Sequence, residues 1–378
     1  MKGCPGCDDG HSFFSHRRQT KPNVEERMRL TVRRLGLFSI CLVIAQLNCA
    51  GDKADKVEHL FERYQSHGLP GAAVMVIHHG RRVLTRTYGL ADLEERTPVT
   101  LQTNFRLASV SKQFTAMCIM MLAERGQLNY ETTLADIFPD FPDYGKQITI
   151  AQLLHHTSEL VAYEDIMPDT VTVQVHDADV LQMMRMQEKT YFAPGSEYRY
   201  SNSGYAVLAM IVEKVAAQPF AQFLQENIFT PLGMTHSLAY QREVSDVAYR
   251  AYGYTVSADS VRLTDQSPTS AVLGDGGIYS SLEDLTRWDQ ALYGEKLISR
   301  KSLQQAFTPA LENYGFGWRV DVYKGHFRVH HTGSTRGFRN VIQRFPEDKL
   351  TIIILTNRDG ESVALLADEL ADLYLTEN

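Results

Sequence analysis

Ser109 to Gly126 read SVSKQFTAMCIMMLAERG, a run in which apolar side chains occupy nearly every position from Phe114 to Leu122. A helix that is apolar all round is enclosed by the rest of the protein. Gly126 supplies the usual signal that such a helix ends. The sequence therefore predicts a buried central helix over residues 109–125, with Ser109 and Lys112 in its first turn.

Segments typical of β-strands lie on both sides of this helix, far from it along the chain. They are short apolar runs rich in Val, Ile and Phe, bounded by turn residues. Helical patterns fill most of the chain between residues 130 and 240, and two more helices are predicted at 282–292 and 362–375. The strand-like segments are residues 71–77, 83–88, 316–321, 327–331, 340–345 and 350–357.

We predict an α+β fold in which an antiparallel sheet, built from both ends of the chain, is flanked by helices and carries an inserted all-helical lobe. The α/β lobe takes about residues 51–110 and 270–378, and the helical lobe about residues 111–269. A chain of 378 residues is long enough to bury the core of one such domain, spanning residues 51–378. The cleft between the lobes is where we expect a site.

The charge balance disfavours nucleic-acid binding. The net charge is −7, and residues 1–50 carry 8 Lys+Arg against 4 Asp+Glu, so −11 is left for the remainder. Nucleic acids and anionic membranes attract clustered Lys and Arg, and no such cluster follows residue 50. We therefore expect a small-molecule or peptide substrate as partner, and a soluble body that meets a membrane only through an uncleaved N-terminal segment.

The cysteines and histidines do not form a metal or redox site. Four of the five cysteines precede residue 50, so no disulfide framework is plausible. Cys4 and Cys7 form a C-x-x-C without a second pair, which is weak evidence for a metal. The adjacent histidine pairs at 78–79, 155–156 and 330–331 chelate poorly because neighbours on a strand point to opposite faces. We predict no metal and no organic cofactor.

Residues 28–50 have the pattern of a signal peptide. Arginines between residues 29 and 34 form a basic region. A largely apolar run of eleven residues follows at 35–45 and is too short to span a bilayer. Residues 1–27 are predicted to be an over-extended start. An uncleaved anchor and lipidation at Cys49 are the alternatives. The pattern predicts a periplasmic or secreted protein.

Ser109-Val110-Ser111-Lys112 is the only S-x-x-K in the chain. Residues three apart on a helix share a face, so the Lys112 amine can lie near the Ser109 hydroxyl. The helix N-terminus adds positive potential and free N–H donors. Burial favours a neutral lysine, which can accept the serine proton. The pattern indicates nucleophilic catalysis, and an ordinary serine-capped helix start is the alternative.

Tyr200-Ser201-Asn202 lies in a loop-like run from Pro194 to Gly204. A tyrosine close to a lysine can act as general base and then as general acid to a leaving group. An asparagine amide can hold a substrate carbonyl or orient the lysine. The alternative is a plain turn, since Y-x-N is common by chance.

His331-Thr332-Gly333-Ser334 ends a predicted strand. Gly333 would let the backbone approach a substrate closely. The N–H groups of Ser334 and Ser109 could together form an oxyanion hole.

These three motifs together resemble the serine β-lactamase and penicillin-binding-protein superfamily, in particular the branch related to class C β-lactamases, D-peptidases and family VIII esterases. The resemblance covers about residues 55–375. Other segments look like the same branch and occur in the same order. They are residues 88–92, 105–106, 154–158, 194–195, 200–205, 231–234, 276–285 and 314–318.

The resemblance implies a serine hydrolase with an α/β sandwich, a helical lobe and a site between them. It assigns Ser109 as nucleophile, Lys112 as its activator, Tyr200 as general acid/base and Asn202 as substrate binder. The strand carrying His331, Thr332, Gly333 and Ser334 would line the cleft and bind substrate. No metal or organic cofactor is implied.

Two residues depart from the family pattern. Penicillin-recognising members begin the third motif with lysine, whereas this chain has His331, which carries less positive charge near neutrality. We therefore expect weaker recognition of a substrate carboxylate, which disfavours efficient β-lactam hydrolysis. Glu159 stands where relatives have a turn glycine. Because a positive φ would strain a glutamate, we expect this loop to be altered locally and to lie away from the chemistry.

Three functions compete at this point. The first is hydrolysis of an ester, a D-amino-acid peptide or a related amide through a Ser109 acyl-enzyme. The second is a true β-lactamase or D-alanyl-D-alanine carboxypeptidase, which His331 disfavours. The third is a non-catalytic protein that binds peptidoglycan or β-lactams, which the presence of Ser109, Lys112 and Tyr200 together disfavours. A peptidoglycan-derived substrate is compatible with all three.

Overall fold

The computed structural model describes residues 53–66, 68–168, 170–242, 244–360 and 362–375. The chain divides between His59 and Leu60 into two units. Of the first, residues 53–59 are described and are helical. The second contains all the sheets described below. The predicted over-extended start at 1–27 and signal peptide at 28–50 lie outside the described residues.

A six-stranded antiparallel sheet dominates the second unit. Its strands, in spatial order, are β10 (Arg319–Tyr323), β11 (His326–Thr335), β12 (Phe338–Phe345), β13 (Leu350–Thr356), β1 (Ala72–His78) and β2 (Arg81–Tyr88). The first strand along the chain, β1, therefore pairs with the last, β13. The predicted strands near both ends of the chain therefore meet in one sheet, which confirms the α+β prediction.

Helices cover both faces of the sheet. In β12, Arg344 donates from Nε to Asp289 at 2.6 Å, whereas its neighbour Gln343 donates to Asp368 at 2.7 Å. Adjacent residues of a strand point to opposite faces. The helices that carry the two aspartates, α11 (Leu282–Ala291) and α13 (Val363–Asp372), therefore lie on opposite sides. This arrangement explains why β13 is buried along its length and β1 is buried except at its last residue.

The predicted central helix begins as a 3₁₀ turn, Ala108–Ser111, and continues as α2 (Lys112–Glu124). Residues Lys112 to Leu122 are all buried, as the apolar run predicts. Helix α7 (Asn202–Ala216) packs beside it. The inserted lobe is helical as far as Leu232, and short strands follow between residues 238 and 263. The predicted lobe boundaries remain a prediction.

The remaining elements are short. The other helices are α1 (residues 53–60), α3 (Leu134–Ile137), α4 (Ile150–Leu154), α5 (Tyr163–Ile166), α6 (Asp177–Arg185), α8 (Phe220–Leu224), α9 (Thr230–Leu232), α10 (Leu273–Gly276) and α12 (Arg300–Ala306). The other strands are β3 (Leu90–Asp92), β4 (Thr97–Pro98), β5 (Phe105–Arg106), β6 (Leu238–Ala239), β7 (Tyr254–Val256), β8 (Val261–Leu263) and β9 (Ile278–Ser280).

Among the described residues, no single helix has the length and apolar character to cross a membrane. Residues 202–216 and 220–232 meet the criterion only as a pair, and they are bent by 79° at their break.

Candidate active site

Ser109 lies on the 3₁₀ turn that leads into α2 and is half-exposed. The residue before it, Ala108, has a φ of 51°, a left-handed conformation that strains a residue with a Cβ. Strand β11 packs against this turn at Gly333, where a Cβ would lie 2.0 Å from the carbonyl oxygen of Leu107. Only glycine permits this approach, so Gly333 brings the third motif beside the serine.

The Lys112 side chain is fully buried. Its Nζ lies 3.2 Å from Oγ of Ser109, 2.8 Å from Oδ1 of Asn202 and 2.9 Å from the carbonyl oxygen of Asp275. An ammonium has three hydrogens, and three acceptors surround it. A neutral amine would donate to the last two and accept the hydrogen of Ser109. The site therefore suits both protonation states of Lys112.

Asn202 links Lys112 to a carboxylate that the sequence analysis missed. Its Nδ2 donates to Oε1 of Glu164 at 2.7 Å, while its Oδ1 accepts from Lys112. These two partners fix the orientation of the amide. Glu164 lies on the four-residue helix α5 and is exposed. No local sequence pattern marks it, because its role depends on a contact 38 residues away.

A second carboxylate, which is buried, holds the loop that carries Asp275. The carboxylate of Asp177 accepts from the backbone N–H groups of Leu273 and Gly274 at 2.8 and 2.9 Å. These bonds fix α10, whose carbonyl at Asp275 faces Lys112. Burial raises the pKa of Asp177 to about 7, although both N–H donors oppose the shift. Asp177 acts by positioning the loop.

The Asp275 side chain accepts a hydrogen bond from the hydroxyl of Tyr163 at 3.1 Å. Burial raises the pKa of Asp275 to about 6, and the nearby charge of Lys112 opposes this. The structure uses the backbone carbonyl of Asp275 as a partner of the lysine.

Tyr200 lies against Lys112, with the lysine Nζ 4.9 Å from the centre of its ring. Its ring is 4.3 Å from that of His156. The Tyr200 hydroxyl is buried and has no hydrogen-bond partner among the described residues. The structure thus brings Tyr200 next to the lysine without bonding its hydroxyl to Ser109.

His156 fixes the loop that carries Tyr200. The backbone N–H of Ser201 donates to its Nδ1 at 3.0 Å, so Nε2 carries the hydrogen of the neutral ring. Burial holds the pKa of His156 well below its usual value, and the charge of Lys112 acts in the same direction.

His331 is buried and only 1% exposed. Its Nδ1 lies 2.7 Å from the carbonyl oxygen of Thr332 and must donate to it, and its Nε2 accepts from the hydroxyl of Tyr314 at 2.9 Å. Burial keeps the pKa of His331 well below its usual value, with Lys112 contributing. His331 is therefore neutral with both nitrogens occupied, and it carries less charge than the sequence analysis allowed.

An open cavity of about 90 Å³ lies over Ser109. Ser334 contributes from β11 and Asn202 from the helical lobe, so the cavity lies where the two predicted lobes meet. His331, Thr332, Gly333 and Tyr200 are near it but do not line it. The side chains that line it and carry polar groups include Ser109, Asn202, Glu164, Asp275, Ser334 and Arg106.

Within the described ranges, no three His, Cys, Asp or Glu side chains are arranged to hold a metal ion. Cys118, the one cysteine after residue 50, is a buried free thiol. The absence of a metal and of a cofactor stays a prediction.

Comparison with known proteins agrees with this geometry. The family model described as Beta-lactamase matches residues 56–375. Penicillin-binding protein 4* of Bacillus subtilis is 33% identical over 327 residues, which cover 81% of this chain and 71% of that protein.

Solved structures give the same result. A penicillin-binding protein homologue from Pyrococcus abyssi superposes with a TM-score of 0.75 at 26% identity, covering 85% of this chain and 76% of the other. A D-amino acid amidase from Ochrobactrum anthropi has a TM-score of 0.74 at 23% identity, covering 85% and 98%. At that identity, the amidase shows likeness of fold alone.

Proposed function

We propose that this chain, which belongs to the Beta-lactamase family and is a serine hydrolase, cleaves an ester, a D-amino-acid peptide or a related amide. The reaction would proceed through an acyl-enzyme on Ser109. The observation that carries the proposal is the 3.2 Å contact between Oγ of Ser109 and Nζ of the buried Lys112, beneath an open cavity. A nucleophile and its base within hydrogen-bonding reach are the mark of nucleophilic catalysis.

In the first half-reaction, Oγ of Ser109 bonds to the substrate carbonyl carbon and its proton passes to Nζ of Lys112. Asn202 and the Asp275 carbonyl hold the resulting ammonium, since both already accept from it. The carbonyl oxygen becomes an oxyanion, for which the N–H groups of Ser109 and Ser334 are the proposed donors. The bond to the leaving group then breaks, and the leaving group takes a proton.

Tyr200 is the proposed route for that proton. It lies beside Lys112, and its hydroxyl is not held by another side chain of the described residues. It can donate to the leaving group and regain a proton from Lys112. In the second half-reaction, water bonds to the acyl carbon, gives up one proton to the same base and releases the acid. Ser109 recovers its hydrogen, and the cycle closes without a cofactor.

The second candidate function is hydrolysis of β-lactams or D-alanyl-D-alanine peptides, substrates that carry a carboxylate. They depend on a cation that complements the carboxylate, and the neutral, internally bonded His331 does not supply one. A non-catalytic peptidoglycan or β-lactam binder is the third candidate, and slow acylation without turnover would distinguish it.

The test is intact-mass spectrometry after exposure to p-nitrophenyl butyrate, a penicillin and a fluorophosphonate, with product release followed in parallel. Wild type is expected to take up the fluorophosphonate and to turn over the ester, whereas Ser109→Ala does neither. Ser260→Ala, an exposed serine on the β7–β8 hairpin, is the matched control and should behave as wild type. Equal behaviour of wild type and Ser109→Ala would exclude Ser109 as nucleophile.

We further propose export to the periplasm or the exterior, on the basic and apolar pattern of residues 28–50. Fractionation of cells that express the full chain tests this. Recovery of the enzyme only from the cytoplasm with residues 28–50 intact would overturn it.

A further inference from the structure

The charged side chains that line the cavity differ in whether a ligand can reach them. Arg106 is 3% exposed, and both of its terminal nitrogens donate to Ser270. Asp275 is 8% exposed and accepts from Tyr163. Glu164 is exposed. A ligand in the cavity therefore meets one accessible charge among the described lining residues, and that charge is negative.

Glu164 is held in place while keeping a free acceptor. Its Oε1 accepts from Nδ2 of Asn202, whose Oδ1 is fixed by Lys112. Its Oε2 has no hydrogen bond within the described chain. An oriented carboxylate with a free oxygen is suited to a charge-assisted hydrogen bond from a ligand N–H.

Among the described residues that line this cavity, none offers an accessible cation to a substrate carboxylate. The three acceptors around Nζ of Lys112 occupy all the hydrogens of its ammonium. His331 is neutral and does not line the cavity. A carboxylate near Glu164 would meet like charge, whereas an ammonium would be attracted.

The position of Tyr200 indicates which part of the substrate enters the cavity. Tyr200 is the proposed proton donor to the leaving group, and it lies outside the cavity lining, against His156. The leaving group therefore departs towards Tyr200, and the cavity beside Glu164 receives the acyl part.

We propose that the substrate carries a free ammonium group on the acyl side of the scissile bond, as in an amide or ester of an unblocked amino acid, and that Glu164 determines this specificity. The proposal rests on the proposed function, because it concerns the same Ser109 acyl-enzyme. The proposal also predicts that acetylating the substrate amine removes the advantage in kcat/KM that the contact with Glu164 provides.

The experiment compares alanine p-nitroanilide with N-acetylalanine p-nitroanilide, each as D and L forms, at about pH 6.5, where an α-amino group with a pKa of about 7.7–8.0 is protonated. The readout is the ratio of kcat/KM for the free-amine substrate to that for the acetylated one. p-Nitrophenyl butyrate, which has no amine, is assayed in parallel to report on the Ser109 acyl-enzyme itself.

In wild type we expect a ratio of roughly ten or more for at least one enantiomer, which corresponds to one charge-assisted interaction. Glu164→Gln keeps an acceptor for Asn202 but loses the charge, and its ratio should fall to about one. Asp165→Asn removes a charge one residue away that bonds Tyr191, and it should retain the wild-type ratio.

Each other outcome overturns the inference in a recognisable way. Turnover of the butyrate ester without a preference for the free amine, or a preference that survives in Glu164→Gln, refutes the role of Glu164 and leaves the proposed function intact. If wild type turns over neither the ester nor the anilides and is not labelled at Ser109, the proposed function and the inference fail together.

Discussion

Tyr314 donates its phenolic hydrogen to Nε2 of His331 at 2.9 Å, and both side chains are buried. This bond satisfies Nε2 of the neutral His331 ring, and Nδ1 of the same ring donates to the Thr332 carbonyl oxygen. The first residue of the third motif is therefore part of the core that supports the site, and the exposed side chain of Ser334 faces the cavity.

Tyr314→Phe should lower the free energy of unfolding by about 1–3 kcal/mol, because it leaves Nε2 of His331 buried without a donor. Tyr200→Phe should change it by less than about 0.5 kcal/mol, since the Tyr200 hydroxyl has no partner in the described structure. The same Tyr200→Phe change should reduce kcat by about 100-fold or more if this tyrosine transfers the leaving-group proton. Urea unfolding and ester turnover measure the two effects. Equal loss of stability in Tyr314→Phe and Tyr200→Phe would contradict the hydrogen bond assigned between Tyr314 and His331.

Gly333→Ala should destabilise the protein by roughly 2 kcal/mol or more and reduce activity, because the new Cβ would meet the Leu107 carbonyl 2.0 Å away. Either β11 or the turn before Ser109 must move. Gly294→Ala is the matched control, since its Cβ would meet nothing closer than 3.8 Å. Thermal unfolding should separate the two variants, and a Gly333→Ala enzyme as stable and active as wild type would show that the contact is not tight.

Glu159→Gly should stabilise the protein by about 1–2 kcal/mol. Glu159 has a φ of 59°, which glycine adopts without strain. Its side chain is 1% exposed, and burial raises the pKa of its carboxyl group. Glu159→Gln separates the two causes, because it removes the charge and keeps the strain. Urea unfolding measures both variants, and a loss of stability in Glu159→Gly would refute the strain.

Asp177 should make stability depend on pH. Because burial raises its pKa from 3.8 to about 7, the folded state favours the protonated form. Its stabilising contribution is complete below about pH 4 and is lost as the pH rises through about 7. Wild type should therefore lose unfolding free energy more steeply between pH 4 and 7.5 than Asp177→Asn does. Asp259→Asn, an exposed control, should keep the wild-type slope. If the unfolding free energies of Asp177→Asn and wild type fell equally steeply with pH, the raised pKa of Asp177 would be contradicted.

Much of the fold follows from local sequence patterns. The apolar run after Lys112 predicts a buried helix, and the strands at both ends of the chain predict one sheet. Glu159 keeps the positive φ that a turn glycine would allow, whereas the sequence led us to expect a locally altered loop there.

Glu164, Asp177 and Tyr314 were not predicted as parts of the site. Each acts through a partner that is distant in sequence, at separations of 38, 96 and 17 residues for their bonds to Asn202, Leu273 and His331. The helix start also differs from the prediction, because Ala108 takes a left-handed conformation and the next residues form a 3₁₀ turn. Such features depend on tertiary packing, which periodicity does not report.

The pairing of β1 with β13 has a consequence for synthesis on the ribosome. Ala72 is opposite Thr356, so 284 residues separate the two partners (356 − 72). At about 5–20 residues per second, β1 leaves the ribosome roughly 15–60 s before its partner exists. Throughout that interval an apolar strand has one unsatisfied edge, which is a template for aggregation. We expect nascent chains of this protein to depend on chaperones until β13 has emerged.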